Sequence, residues 1–154
     1  MSRPLNKKVQ AKTSKGQAMV EFVLSFMLLM IFVFLCFEMI MVLYSYNVLA
    51  DAAKEGVRYA IVNGSNSGTP SGRSTGAATS DCSTNVANVK NIVSGYAGLT
   101  FHNMSALTVN VCYLDGTNVA PNRVQVTVHY NYVPYFKLGL TPTINAAAEG
   151  RIVN

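Results

Sequence analysis

Two histidines, three cysteines and seven carboxylates are what this 154-residue chain has to build chemistry from. General acid–base catalysis needs a histidine or carboxylate held within hydrogen-bond reach of a reacting group. His102 falls in a loop and His129 on the polar face of a strand, so each reads as a surface or hydrogen-bonding residue. Serine and threonine are plentiful but stand in no nucleophile motif, and neither GxGxxG nor a P-loop is present. No CxxC or HxxxH spacing accompanies the cysteines, which argues against a metal site. The sequence therefore points away from an enzyme, and no cofactor, small-molecule substrate or nucleic acid is expected. The sequons at Asn63 and Asn103 are short enough to arise by chance and carry little weight.

The residues that stand out are a glycine and two acids at a long apolar run. From Val20 to Tyr46 only Glu21, Ser25, Glu38 and Ser45 are clearly polar. A helix spanning a bilayer needs about 20 apolar residues. A carboxylate inside such a helix costs roughly 2.5 kcal/mol or more on insertion scales. The plain explanation puts Glu21 near the membrane surface, able to pair with Lys15, and Glu38 near the opposite surface. A functional explanation goes further, because intramembrane carboxylates tend to face protein partners. If the chain were cut after Gly16, Gln17 would become a charged amino terminus. Glu21, one helical turn on, would neutralise it or the terminus of a neighbouring subunit, and would sit at the positive end of the helix dipole.

The flanks orient the run. Residues 1–16 carry Arg3, Lys7, Lys8, Lys12 and Lys15 and no acid. The positive-inside rule places this leader in the cytoplasm and the rest of the chain outside. Beyond Gly16 seven basic residues balance seven acids, so the net charge of +5 is the leader's alone and is no sign of nucleic-acid binding. A cleaved secretory signal is the competing reading. Its apolar core is normally about 7–15 residues with a small-x-small site close behind; here the run is longer and no such site follows closely. Cys36 lies in the run and is expected to be an inert packed thiol. Cys82 and Cys112 lie on the outer side, where two cysteines are expected to pair. Closing that loop of about 31 residues is worth some 3–4 kcal/mol in the chain-entropy model.

The elements that position these residues follow from periodicity. After Tyr44 and Tyr46, which suit the aromatic belt of a membrane surface, Val48, Leu49, Ala52, Ala53, Gly56, Val57, Ala60 and Ile61 form one stripe at helical spacing. One helix over 17–62, roughly 70 Å at the helical rise, is expected. Residues 63–81 are Gly-, Ser-, Thr- and Asn-rich and read as a flexible loop. A short helix follows, with Val86, Val89, Ile92, Val93 and Tyr96 as its stripe, Ser83 as a candidate cap and Gly95 and Gly98 near its end. Leu107, Val109, Val111 and Tyr113 then alternate with polar residues, as do Val124, Val126, Val128, Tyr130 and Tyr132. An Asp-Gly…Pro turn separates the two, the pattern of a hairpin. The C-terminal INAAAEGRIV suits a third strand with Ile144, Ala146, Ala148 and Ile152 inward, although alanine and glutamate also allow a helix. The outcome is an α+β fold: a long N-terminal helix whose outer half covers a small antiparallel sheet, plus one short helix. The expected organisation is a basic cytoplasmic leader (1–16), a transmembrane helix (17–43), its outer half (44–62), the loop (63–81) and an extracytoplasmic domain (82–154).

Two blocks, KGQAMVEFVLSFMLL and FEMIMVLYSYNVLADAAKEGVRYA, resemble the TadE-like family of the tight-adherence (Flp/Tad) type IV pilus apparatus. The resemblance is close over about residues 15–61 and lies in outline beyond. One departure is that many relatives carry a proline early in the apolar run, whereas here none occurs between Lys15 and Pro70. The resemblance implies a pilin-like minor pilin or pseudopilin, cut by a prepilin peptidase between Gly16 and Gln17. Glu21 and Phe22 would open the mature helix, Glu38 would join them in assembly, and the partners would be other pilins and the inner-membrane assembly platform. It implies a single-pass protein of the bacterial inner membrane, N-terminus cytoplasmic, with the prospect of incorporation into a surface pilus. The competing reading is an uncleaved, membrane-anchored periplasmic ligand-binding or adhesion domain.

Overall fold

The computed structural model describes residues 7–71, 81–83, 86–136 and 141–154. The chain divides into two units, Met1–Met39 and Ile40–Asn154. Helix α1 runs Lys7–Val62, starting ten residues before the expected 17. By length and composition it is the one helix among the described residues able to cross a membrane. In the first unit nearly every apolar side chain from Met19 onward is exposed. Cys36 shares that exposure, so the packed thiol expected there is corrected: none of the described residues covers it.

The second unit is the α+β fold that the periodicity predicts. Strands β1 (Asp81–Ser83), β2 (Thr108–Tyr113), β3 (Arg123–Asn131) and β4 (Thr143–Arg151) form one antiparallel sheet in the order β1-β2-β3-β4. Both long alternations hold: Val109, Val111, Tyr113, Val124, Val126, Val128 and Tyr130 are all buried on one face. The C-terminal segment resolves as a strand, with Ile144 and Ala146 buried and Ala148 packed against them. Strand formation settles the competition with helix because β3 offers it nine paired positions, from Arg123↔Arg151 to Asn131↔Thr143. Strand β1 adds to the expected sheet; its three residues show no alternation that would announce it. Cys82 stands directly opposite Cys112, 4.0 Å away between Cα atoms, and the two are joined by a disulfide. The thirty-residue separation gives the cross-link a sizeable loop to close.

The α1 stripe covers the inner face of the sheet. Leu49, Ala52, Ala53, Val57 and Ala60 are buried in one cluster with the sheet valines. Helix α2 (Ala87–Ala97) packs into the same cluster through Val89, Val93 and Ala97. Tyr96, expected in its stripe, is instead 43% exposed: the buried residues recur at four-residue spacing and end on Ala97. The cap position of α2 falls on Val86, without a side-chain bond, and not on Ser83, whose backbone belongs to β1. Where α1 meets α2 and β3, a Cβ on Gly56 would lie 2.6 Å from Val93 and 3.3 Å from Val126, so only a glycine permits this approach. In the β2–β3 connection Gly116 takes φ 91°, a conformation that strains other residues. Asp115 beside it accepts bonds from the Arg123 backbone N–H (2.8 Å), Nε (3.2 Å) and Nη2 (3.1 Å).

Helix α1 ends where Asn63 turns the chain. Its Nδ2 donates to the Tyr59 carbonyl, while its Oδ1 accepts from Ser67 and Thr69. Ser71 is buried, its hydroxyl bonded to the Ala60 carbonyl, and its own carbonyl accepts from the Tyr113 hydroxyl. The expected loop thus begins with a pinned turn over 63–71; its remainder, 72–80, lies outside the described residues.

Candidate functional site

Gly16, Gln17, Glu21 and Phe22 sit on consecutive turns of α1, where the apolar run begins. The run is helical without interruption because Leu, Met, Phe and Val repeat with no proline and no glycine between Gly16 and Gly56. Gly16 lies within the helix and is exposed, and a Cβ added to it would meet nothing within 4 Å. Its glycine is thus not required by packing or by the backbone of this fold. Gln17 Nε2 reaches Glu21 Oε1 at 3.4 Å, an i,i+4 pair on the exposed surface of the helix. That spacing places any charge at position 17 one turn below the Glu21 carboxylate. Phe22 is exposed, its ring stacked on Phe26 at 6.2 Å between centroids.

Glu38 does not share that exposure. It is 6% exposed, the only buried charged residue among those described. A buried carboxylate must be hydrogen-bonded or paired to avoid a penalty of several kcal/mol, and Glu38 does make an interaction within the chain. The structure therefore brings Gly16, Gln17, Glu21 and Phe22 together on one short exposed stretch and sets Glu38 apart from them. Hydropathy marks both acids as unusual; only the burial separates them.

Both histidines and several turn residues are packed or bonded within the second unit. His129 Nδ1 lies 2.7 Å from Asn145 Oδ1 across β3 and β4. His102 sits between the rings of Tyr132 and Tyr135, with centroids at 4.6 and 4.5 Å. Asn103 closes a single 3₁₀ turn by accepting from the Ser105 N–H. Among the described residues, no three histidine, cysteine or acidic side chains gather to hold a metal ion. Arg123, bonded to Asp115 and 3.6 Å from Glu149, holds the Asp115 carboxyl below the usual carboxylate range through its hydrogen bonds. This cluster ties β3 to the preceding turn and to β4.

No curated protein and no solved structure matches the chain. A family does match, over the stretch that carries these residues. Residues 16–58, from the glycine ahead of the apolar run to Arg58 on the domain-covering half of α1, match the family of TadE-like proteins.

Proposed function

We propose that this protein is a minor pilin or pseudopilin of a tight-adherence (Flp/Tad) type IV pilus. On this reading it is anchored in the bacterial inner membrane by α1 with its basic end in the cytoplasm, and is processed by a prepilin peptidase between Gly16 and Gln17. The observation that carries the reading is the family match, which begins at Gly16 itself and takes in the exposed Gln17–Glu21 pair. The TadE-like family is associated with the Tad pilus, and a long apolar helix near the N-terminus is consistent with a membrane-anchored component of it. The geometry supplies a mechanism. Removal of the leader leaves an ammonium at Gln17, and the Glu21 carboxylate one turn away compensates it, in the same chain or in a neighbour packed against it. Desolvation in lipid strengthens that attraction, since an unpaired charge is costly there. Phe22 and the exposed apolar side chains beyond it present the surface on which other pilins and the assembly platform would pack. Glu38, already out of water in its own chain, is proposed as a further assembly residue.

The fold makes the experiment clean. A side chain at Gly16 meets no neighbour, and Glu21 bonds the exposed Gln17 on the helix surface. Neither substitution should disturb folding. Mass spectrometry of the protein from its native membrane should find Gln17 as the first residue, and Gly16→Leu should leave the leader attached. Glu21→Ala should be cut normally yet fail to support piliation. An intact leader in cells with an active prepilin peptidase would overturn the reading in favour of an uncleaved anchored domain.

A further inference from the structure

The second unit carries an aromatic cluster that the sheet does not use. After α2 the chain turns at Gly98 and presents Leu99 and Phe101, 65% and 71% exposed. These are not loose side chains on a loop. The Tyr44 hydroxyl donates to the Leu99 carbonyl at 3.1 Å, and the Phe101 ring stacks on Tyr44 at 5.5 Å. From the other side the Tyr135 hydroxyl donates to the Phe101 carbonyl at 3.0 Å. The His102 ring, packed between Tyr132 and Tyr135, fixes the next residue; neither of its nitrogens has a hydrogen-bond partner among the described residues. Two tyrosines thus tie down the backbone of 99–101 so that its large apolar side chains point into solvent.

Holding leucine and phenylalanine outward forgoes the stabilisation that burial would contribute. An exposed apolar patch of this kind marks a contact surface. Its surroundings say which. From Asn91 to Leu114 and from Val124 to Phe136 the sequence contains no aspartate, glutamate, lysine or arginine. The cluster is built on Tyr44, just past Met39, where the first unit ends and the apolar run gives way to the small-residue stripe. Tyrosine beside the end of an apolar run settles at headgroup level with its hydroxyl satisfied, and leucine and phenylalanine bury at the headgroup–acyl boundary.

We propose that Leu99 and Phe101, braced by Tyr44 and Tyr135, insert into the interfacial layer of the bilayer, so that the domain rests on the membrane at a loop distant in sequence from the anchor. The proposal rests on the reading of α1 as a membrane anchor and adds a second, peripheral contact to it. It gives the domain a fixed posture on the lipid, one that must be released before the subunit leaves the membrane.

The chain contains no tryptophan, so single-tryptophan variants of the full-length protein report one position each. Three are needed: Phe101→Trp in the cluster, Phe32→Trp in the apolar run, and Val119→Trp in the exposed β2–β3 connection. Each is reconstituted into phosphatidylethanolamine–phosphatidylglycerol vesicles whose acyl chains are brominated near the headgroup or near the bilayer centre. Phe101→Trp should lose roughly half or more of its emission to the shallow bromines and less to the deep ones, as befits an interfacial side chain. Phe32→Trp should be quenched and Val119→Trp should not. If Phe32→Trp is quenched while Phe101→Trp behaves like Val119→Trp, the anchor stands and the second contact is refuted. A blue-shifted emission from Phe101→Trp that is insensitive to bromine would mean that another protein chain covers the cluster, and also refutes it. An unquenched Phe32→Trp would remove the anchor itself.

Discussion

Gly56→Ala tests the core of the second unit, because two opposing effects of known size meet at one atom. Alanine is favoured over glycine in a helix interior by about 0.8–1.0 kcal/mol. At Gly56, however, the new methyl would stand 2.6 Å from Val93 Cγ2, 3.3 Å from Val126 Cγ1 and 3.4 Å from Val89 Cγ1. Carbon atoms pack at about 3.5–4.0 Å, so the overlap with Val93 is close to 1 Å. Val93 has little means of yielding: it is fully buried in α2, and a valine in a helix has essentially one χ1 rotamer. Relief requires α1 and α2 to move apart, an overpacking strain of about 1–3 kcal/mol. The control is Gly95→Ala in α2, where a Cβ meets nothing within 4 Å and only the propensity gain remains. Gly56→Ala should therefore be less stable than Gly95→Ala by about 1–3 kcal/mol, near 4 °C in Tm per kcal/mol for a domain of this size. The assay is thermal and urea unfolding of the full chain in detergent micelles, followed by near-ultraviolet circular dichroism of the buried Tyr113, Tyr130 and Tyr132. Far-ultraviolet signal would be dominated by the apolar half of α1, which stays helical in detergent. Equal stabilisation by both alanines would refute the close approach of α1 to α2 and β3.

Replacing Cys82 and Cys112 together by alanine should cost about 3–4 kcal/mol and free β1 while β2–β4 persist; hydrogen exchange should rise at 81–83, and an unchanged urea midpoint would count against the cross-link. Burial raises the Tyr113 phenol above its ordinary value, with the Ser71 hydrogen bond acting the other way. The unfolded chain then ionises first, so stability is full below about pH 10 and falls as pH climbs through the folded value. Tyr113→Phe should flatten part of that alkaline loss, leaving the contribution of Tyr130, which burial also raises, and should cost about 1–2 kcal/mol at neutral pH by stranding the buried Ser71 carbonyl. Asp115, held low by Arg123, contributes above the ordinary carboxylate range and loses that contribution as pH falls through its folded value. In a carbon-detected titration it should ionise below the ordinary aspartate range, and a midpoint inside that range would dissolve the turn cluster.

Much of this architecture is written in local repeats. Val124 to Tyr132 alternate at period two, and Leu49 to Ala60 recur at helical spacing, because burial of one face imposes that rhythm on any half-buried element. A fold of helix and antiparallel sheet follows from such stretches alone. The same is true of the N-terminal segment: Gly16, Glu21 and the apolar run are contiguous, and their family likeness needs no tertiary contact. The covering of the sheet by the α1 stripe is also legible, since small residues on one helix face imply a close neighbour.

Only the folded chain decided the rest, wherever the deciding contact lies far away in sequence. Three residues at Asp81–Ser83 have no periodicity to read; they are a strand because Cys82 is bonded to Cys112 on β2. The choice of Ala97 over Tyr96 was made by packing at Val89 and Val93. Glu21 and Glu38 look alike as acids in an apolar run, yet one is exposed and the other buried. Leu99 and Phe101 would pass for ordinary loop residues without the hydroxyls of Tyr44 and Tyr135, distant along the chain, that hold their backbone. Periodicity records which face of an element is buried; it carries no information about which distant residue lies against that face, because that choice is made by closure of the whole chain.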